Sequence, residues 1–165
     1  GAATTMLRLE GFQQSVAYRA GRLRDHLREF GSIEIEVSHE KSTDIWRWVR
    51  DVQAFHASKG DVWRIVVKPT DGPEVGKRLV ERFAAGLVFD QGGGLIWVLV
   101  PAGSDARAVL SGIEGHARIE RASNETKAKL GVFPRQNALV ERLSAGLRAK
   151  FDPRGILNPG LMDAL

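Results

Sequence analysis

Cysteine is absent from this chain of 165 residues, and its absence excludes several kinds of chemistry. Without thiols there is no disulfide bond, no thiolate metal site, no cysteine nucleophile and no iron–sulfur cluster held by cysteine. The chain also has no hydrophobic run near the roughly 20 residues that a membrane-spanning helix needs, and no signal peptide. These absences fit a protein of the reducing cytoplasm.

Sequence motifs that bind nucleotides or metals, or that activate nucleophiles, are missing as well. Neither GxGxxG nor a phosphate loop ending in Gly-Lys-Ser/Thr occurs, so the run Gly92-Gly93-Gly94 is interpreted as a hairpin turn. No GxSxG elbow marks a serine hydrolase. The four histidines lie far apart, without HxH or HxxxH spacing: His26, His39, His56 and His116. The sequence therefore predicts no metal site.

The charge pattern does not favour a nucleic-acid partner. The formal net charge is +4, but basic and acidic residues are interspersed along the chain rather than gathered in one basic patch. An RNA-binding module is one alternative function for a small α+β domain. The predicted central strands of this chain, however, lack the paired exposed aromatic residues that stack on bases in such modules. We therefore expect no nucleic acid among the partners.

The hydrophobic pattern predicts an α+β fold. Residues 60–122 follow the order β-α-β-β-α-β of a ferredoxin-like split βαβ sandwich, with Ser104 as the expected cap of its second helix. Residues 4–10 and 33–37 alternate like strands on either side of a helix, and we expect them to extend the same antiparallel sheet. A last helix and a tail occupy residues 136–165. All helices are expected on one face of the sheet, in a single domain of residues 1–165.

The opposite face of the predicted sheet carries the candidate site residues. Alternation in "DVWRIVVK" places Arg64 and Lys68 away from the core, and alternation in "HARIERA" does the same for Arg118. Trp97 belongs either to the core or to this open face. A mid-strand Arg64 can bind a carboxylate with both arms of its guanidinium, and the alternative is an ion pair with an acidic neighbour on the sheet.

The C-terminal stretch "KFDPRGILNPG" places two turns directly after a helix. Pro153 and Gly155 shape the first turn, and "NPG" at residues 158–160 forms the second. An end without a function does not need such turns. We expect Ile156 and Leu157 to be held by apolar contacts and the second turn to dock onto another surface.

Three stretches of the chain carry a resemblance to a known family. "LRAKFDPRGILNPGLM" resembles the closing segment of FAD-linked oxidases of the vanillyl-alcohol oxidase / p-cresol methylhydroxylase superfamily, which ends in a DPxGxxNPG tail. "VWRIVVKP" and "FDQGGGLIWVLVP" look like cap-domain strands of the FAD-binding subunits of bacterial glycolate oxidases. "MLRLEGFQQSVAYRAGRL" is similar to the region just after the flavin domain in those subunits. The resemblance spans nearly the whole chain, and its tail motif is the most specific part.

The resemblance implies that the intact protein takes part in FAD-dependent oxidation of a 2-hydroxy acid such as glycolate. It implies an N-terminal flavin domain that holds most of the FAD, with this chain as the cap over the flavin cleft. The "GAATTM" start is consistent with a fragment that lacks this domain, which we expect to be inactive alone. Asn158, Pro159 and Gly160 would contact the cofactor, and Arg64, Lys68, Trp97 and Arg118 the substrate or the flavin domain.

The resemblance also implies partner proteins. A second flavoprotein subunit and an iron–sulfur subunit would join the complex, which would be cytoplasmic with any membrane association through those subunits. The histidine-rich motifs of the related catalytic subunit are absent here, so this subunit can be auxiliary and its catalytic residues are not predicted. The alternative from another class is a free-standing ferredoxin-like binding or regulatory module that dimerises through the open face of its sheet.

Overall fold

A computed structural model describes residues 3–158 of the chain. This part contains five α-helices: α1 (Gln13–Leu27), α2 (His39–Arg50), α3 (Gly72–Phe83), α4 (Asn124–Leu130) and α5 (Ala138–Phe151). It contains four β-strands: β1 (Asp61–Val67), β2 (Gly86–Asp90), β3 (Leu95–Val100) and β4 (Gly115–Arg121). The chain divides into two compact units, Gly1–Arg47 and Trp48–Leu165, and the sheet belongs to the second.

The four strands form one antiparallel sheet in the order β2-β3-β1-β4. This is the strand order of a ferredoxin-like sandwich, in which β1 and β3 lie at the centre and α3 connects β1 to β2. The predicted α+β class and the ferredoxin-like arrangement are therefore confirmed. None of the described helices is long and apolar enough to cross a lipid bilayer.

The core lies on one face of the sheet, because alternate side chains of each strand point to the same side. Trp63 and Ile65 from β1 and Ile96 from β3 are fully buried there, together with Val75 and Leu79 from α3. The predicted inward face of "DVWRIVVK" is thus confirmed.

The second helix of the ferredoxin-like pattern is shorter than predicted. Residues Ala106–Leu110 form a 3-10 helix, and its cap is the Asp105 carboxylate, which accepts a hydrogen bond from the Arg107 backbone N–H at 3.0 Å. The expectation that Ser104 caps an α-helix is wrong. Gly103 and Gly112 both have positive φ, at 79° and 76°, and between them too few residues remain for a longer helix.

The expected extension of the sheet is also wrong. Residues 4–10 and 33–37 have no strand conformation, and only β1 to β4 form the sheet in the described part of the chain. Alternation suits a strand, but a strand is stable only when its backbone groups find a neighbouring ladder. At the end of the second segment the Glu36 carboxylate instead accepts the Ser38 N–H at 2.7 Å, just before α2 begins.

A half-buried arginine joins distant parts of the second unit. Arg107 lies over the Trp63 ring, with its guanidinium carbon 4.7 Å from the ring centroid. Its guanidinium also donates to the carbonyls of Ala117 at 3.2 Å, Leu130 at 2.9 Å, Gly131 at 2.8 Å and Val132 at 3.1 Å. Burial lowers the pKa of Arg107, and the nearby Asp105 carboxylate partly opposes that shift. The contacts of this one side chain hold β4 and the end of α4 against the core.

Candidate functional site

Three of the sequence-predicted site residues lie in one row across the sheet. The register pairs Arg64 of β1 with Trp97 of β3 on one side and with Arg118 of β4 on the other. Side chains directly opposite each other in neighbouring strands point to the same face. Since Trp63 and Ile65 point into the core, all three residues lie on the face away from α3. We call Arg64, Trp97 and Arg118 the cationic row.

Within the row, Arg64 and Trp97 are in contact. The guanidinium carbon of Arg64 lies 5.9 Å from the centroid of the Trp97 ring, within the range of a cation–π interaction. No carboxylate of the described residues pairs with Arg64, so the alternative of an ion pair with an acidic neighbour does not form there. Both residues are half-buried, and Trp97 is assigned to the open face rather than to the core.

The other two basic residues already have acidic partners. Arg118 Nε donates to Glu120 Oε1 at 2.6 Å, and Lys68 Nζ lies 3.1 Å from Glu114 Oε2. Lys68 follows the last residue of β1, so it lies beyond the row at the end of the strand. Arg64 and Arg118 are directly opposite each other, and like charges in that position repel. The row therefore has an excess of positive charge that an anion would relieve.

One end of the same face is covered by the chain itself, which sequence reasoning missed. Phe55 is buried and lies against Gly86 of β2, where an added Cβ would be 3.3 Å from its ring. Arg121 donates to the carbonyl oxygens of Phe55 at 2.8 Å and Ser58 at 2.8 Å. The small residue at Gly86 is the only local signal of this contact. The accessible part of the face is therefore centred on the cationic row.

The tail is shaped by a carboxylate rather than by apolar contacts. Asp152 accepts hydrogen bonds from the backbone N–H groups of Ile156 at 3.0 Å and Leu157 at 2.9 Å. The expectation that these two apolar side chains are held by packing is wrong, since they are 63% and 62% exposed. The polar Asp152 satisfies the backbone of the turn locally, so the turn forms without a hydrophobic anchor.

The second half of the tail is described only in part. Asn158 is exposed and has a left-handed backbone with φ of 47°, which asparagine tolerates better than most residues. Pro159 and Gly160, the other two predicted cofactor contacts, lie outside the described residues. The side chain of Asn158 is therefore placed where a partner surface can reach it.

The hydrogen bonds to Asp152 predict a pH-dependent tail. The bond from the Leu157 N–H is the main cause that lowers the pKa of Asp152. A carboxyl with a lowered folded pKa contributes stability that is present above its unfolded pKa, about 3.9, and is lost as pH falls through the folded value. We expect amide exchange at Ile156 and Leu157 to accelerate in that acidic range, after correction for the intrinsic rate.

Asp152→Ala is expected to produce the same local acceleration at neutral pH, with the exchange of core amides in β1 unchanged. Hydrogen exchange followed by NMR measures both groups of amides in one experiment. Protection at Leu157 that survives the substitution would show that another contact orders the tail.

The last helix presents an apolar stripe to solvent. Leu139, Leu143, Leu147 and Phe151 repeat every four residues along α5 and lie on one side of it. They are between 57% and 75% exposed, which is unusual for four large apolar side chains in a row. The Asn137 side chain caps the helix by accepting the Val140 N–H at 3.0 Å, which satisfies one backbone donor of its first turn.

The described residues do not form a complete cofactor or metal site. No group of three His, Cys, Asp or Glu side chains among them is arranged to hold a metal ion. Of the predicted contact residues, Asn158 is exposed and Trp97 is half-buried. Gly93 and Gly94 lie close to the backbone of residues 67–72, as in a tight turn, whereas a Cβ at Gly92 would meet nothing within 4 Å.

A shallow crevice lies on the other side of the sheet. It is lined by Arg78, Glu81, Arg82, Ala108 and Val109. Arg78 is occupied there, since it donates to Glu74 at 2.9 Å and to the carbonyls of Val109 at 3.1 Å and Ser111 at 2.9 Å. These bonds attach α3 to the 3-10 helix, so Arg78 has a structural role in the crevice. The cationic row therefore remains the candidate site.

Comparison of the chain with protein-family models, with curated proteins and with solved structures found no match in any of the three.

Proposed function

We propose that this chain is the cap domain of an FAD-dependent oxidoreductase subunit that acts on 2-hydroxy acids of the glycolate type. In this proposal the open face of the sheet covers the flavin cleft of a separate flavin domain. The observation that carries the proposal is the cationic row, in which two arginines and an indole lie side by side on an accessible sheet face. The flavin cofactor and the type of reaction in this proposal are inferred from the resemblance of the tail and strand sequences to FAD-linked oxidases.

The chemistry of the row suits a small carboxylate. A guanidinium binds a carboxylate through two parallel N–H···O bonds, and such charge-assisted bonds are stronger than neutral ones. Arg64 is held over Trp97, which limits its motion and shields one side of it from water. The indole also offers an apolar surface beside the bound acid. Arg64 is therefore the residue that we assign to the substrate carboxylate.

Binding at the row would orient the acid and would leave its hydroxyl-bearing carbon directed away from the sheet. FAD, when bound by the flavin domain, supplies a two-electron acceptor for the oxidation. This chain's own contribution is to bind the carboxylate through Arg64, to exclude water with Trp97 and to close the cleft. No residue of the cationic row is a general base at neutral pH, so the proton acceptor belongs elsewhere in the complex.

The exposed stripe of α5 and the turn after it support the same proposal. A surface of four large apolar side chains and a turn with exposed Ile156 and Leu157 is suited to docking on another domain. In the intact protein that domain would be the flavin domain, with Asn158 near the cofactor. The proposed partners remain a second flavoprotein subunit and an iron–sulfur subunit.

The proposal predicts that Arg64→Ala impairs the full-length oxidoreductase. We expect KM for glycolate to rise by about tenfold or more, because a charge-assisted bond to the substrate is lost. Arg82→Ala is the matched control, since Arg82 also lies over an aromatic ring, that of Phe83 at 5.5 Å, but borders the crevice on the other side. Steady-state kinetics with retained FAD content measures the effect.

Unchanged KM and turnover in the Arg64 variant would contradict the proposal. The alternative, a module that dimerises through its open sheet face, predicts a different result. In that case the wild-type chain would sediment as a dimer and Arg64→Ala would shift it toward monomer, with no response to a 2-hydroxy acid.

A further inference from the structure

Glu120 is placed next to the proposed carboxylate site without belonging to the row itself. It lies two residues after Arg118 on β4, and its Oε1 accepts the Arg118 Nε–H at 2.6 Å. The register is irregular at this point: Trp63 of β1 pairs with Ile119 of β4, but its preceding neighbour Val62 pairs with Arg121 and skips residue 120. Glu120 is the extra residue of this bulge, and a bulge is a common device for redirecting a side chain.

The pairing leaves the two arginines of the row in different states. Arg118 is engaged by a carboxylate of the chain, whereas Arg64 has no acidic partner among the described residues and contacts Trp97 instead. Since the two arginines are directly opposite each other, a carboxylate that binds Arg64 lies within reach of Arg118. Such a ligand and Glu120 would compete for the same guanidinium.

We propose that Glu120 acts as an internal competitor that sets how tightly the row binds a carboxylate. In the free protein Glu120 neutralises Arg118. When a 2-hydroxy acid binds, its carboxylate takes both Arg64 and Arg118, and Glu120 is displaced into solvent. The inference rests on the proposed function, because it assumes that the row receives the substrate carboxylate, and it adds a residue that sets the affinity of that site.

The other charged groups near the row do not replace Glu120 in this role. His116 lies on the same face, two residues before Arg118 on β4 and opposite Val66, and has no carboxylate with which to pair an arginine. Lys68 is engaged with Glu114 at 3.1 Å beyond the end of β1. Glu114 therefore makes an ion pair of the same kind near the same sheet, but with a residue outside the row.

The test is a titration of the isotope-labelled 165-residue chain with sodium glycolate, followed by the NMR signals of the Trp97 indole and the Arg118 side chain. Glu120→Gln is expected to tighten glycolate binding by about threefold, since an exposed ion pair contributes little more than that to competition. Glu114→Gln removes the same charge from an ion pair outside the row. We expect its effect on glycolate affinity to be less than about half of the Glu120→Gln effect. Glu120→Ala is a second variant with the same charge change.

Several results would overturn the inference. Equal tightening in the Glu120 and Glu114 variants would show a general effect of net charge. Unchanged or weaker binding in both Glu120 variants would show that Glu120 only supports the strand. No response of either signal to glycolate in the wild type and in both Glu120 variants would also reject it. If the inference fails while Arg64→Ala still raises KM in the full-length enzyme, the proposed function stands without it.

Discussion

Replacing Arg107 with Ala is expected to destabilise the sheet-containing unit by about 3 kcal/mol. The guanidinium donates to four carbonyl groups, those of Ala117, Leu130, Gly131 and Val132, at 2.8 to 3.2 Å. Hydrogen bonds to a charged donor contribute about 1.5 to 3 kcal/mol each. The net loss is smaller than their sum, because water can bind some of the freed carbonyls in the variant and because the cost of desolvating the guanidinium is no longer incurred. Contact with the Trp63 ring adds to the loss.

Urea unfolding followed by tryptophan fluorescence measures this change, since Trp63 lies in the core. Arg107→Lys is the informative companion, because it keeps the charge but cannot reach several carbonyls with one ammonium group. We expect the free energy of unfolding of the Lys variant to lie between that of the wild type and that of the Ala variant. Arg82→Ala, at the exposed end of α3, should change the free energy of unfolding by less than about 0.5 kcal/mol. A loss below about 1 kcal/mol for Arg107→Ala would mean that water replaces these contacts fully.

Replacing Gly72 with Ala is expected to destabilise the same unit by about 2 to 3 kcal/mol. Gly72 is the first residue of α3, and a Cβ placed there would collide with the carbonyl oxygen of Gly93 and lie 3.0 Å from its carbonyl carbon. Both atoms belong to the backbone, so no side-chain rotation relieves the collision. The N–H of Val67 donates to the Gly94 carbonyl at 2.9 Å, which holds this turn near the start of α3.

Gly146→Ala is the matched control for Gly72→Ala. Gly146 lies within α5, and a Cβ there meets no atom within 4 Å. Since Ala favours a helix over Gly by about 1 kcal/mol, this substitution should be neutral or stabilising. Thermal unfolding of both variants makes the comparison. A Gly72→Ala variant as stable as the wild type would show that the turn at residues 92–94 moves freely away from α3.

The sheet itself could be predicted because its signals are local. The alternation of Trp63, Ile65 and Val67 with Arg64 and Val66 occurs within seven residues, and it determines which side chains share a face. The order of strands and helix in residues 60–122 then allowed few topologies, and the ferredoxin-like one formed. For the same reason the alternation within each strand predicts that Arg64 and Arg118 share one face, whatever their register.

Strand pairing is different, because it depends on a partner that the segment itself does not specify. Residues 33–37 alternate as strictly as β1, yet they have no strand conformation, and among the described residues the sheet consists of β1 to β4 alone. The contacts of Arg107 were not predictable either, since its acceptors lie 10 to 25 residues away along the chain. In the tail the turn residues were evident, but Asp152 rather than apolar packing orders them.

The sequence by itself thus determined the class of fold, the core face of the sheet and the residue types of the candidate site, since each follows from periodicity within one element. Only the tertiary structure decided that Arg64, Trp97 and Arg118 share one row. It also decided that Glu120 forms an ion pair with Arg118 and that Phe55 covers one end of the open face. The physical reason is that register and side-chain pairing arise between elements, where the free energy depends on which surfaces meet.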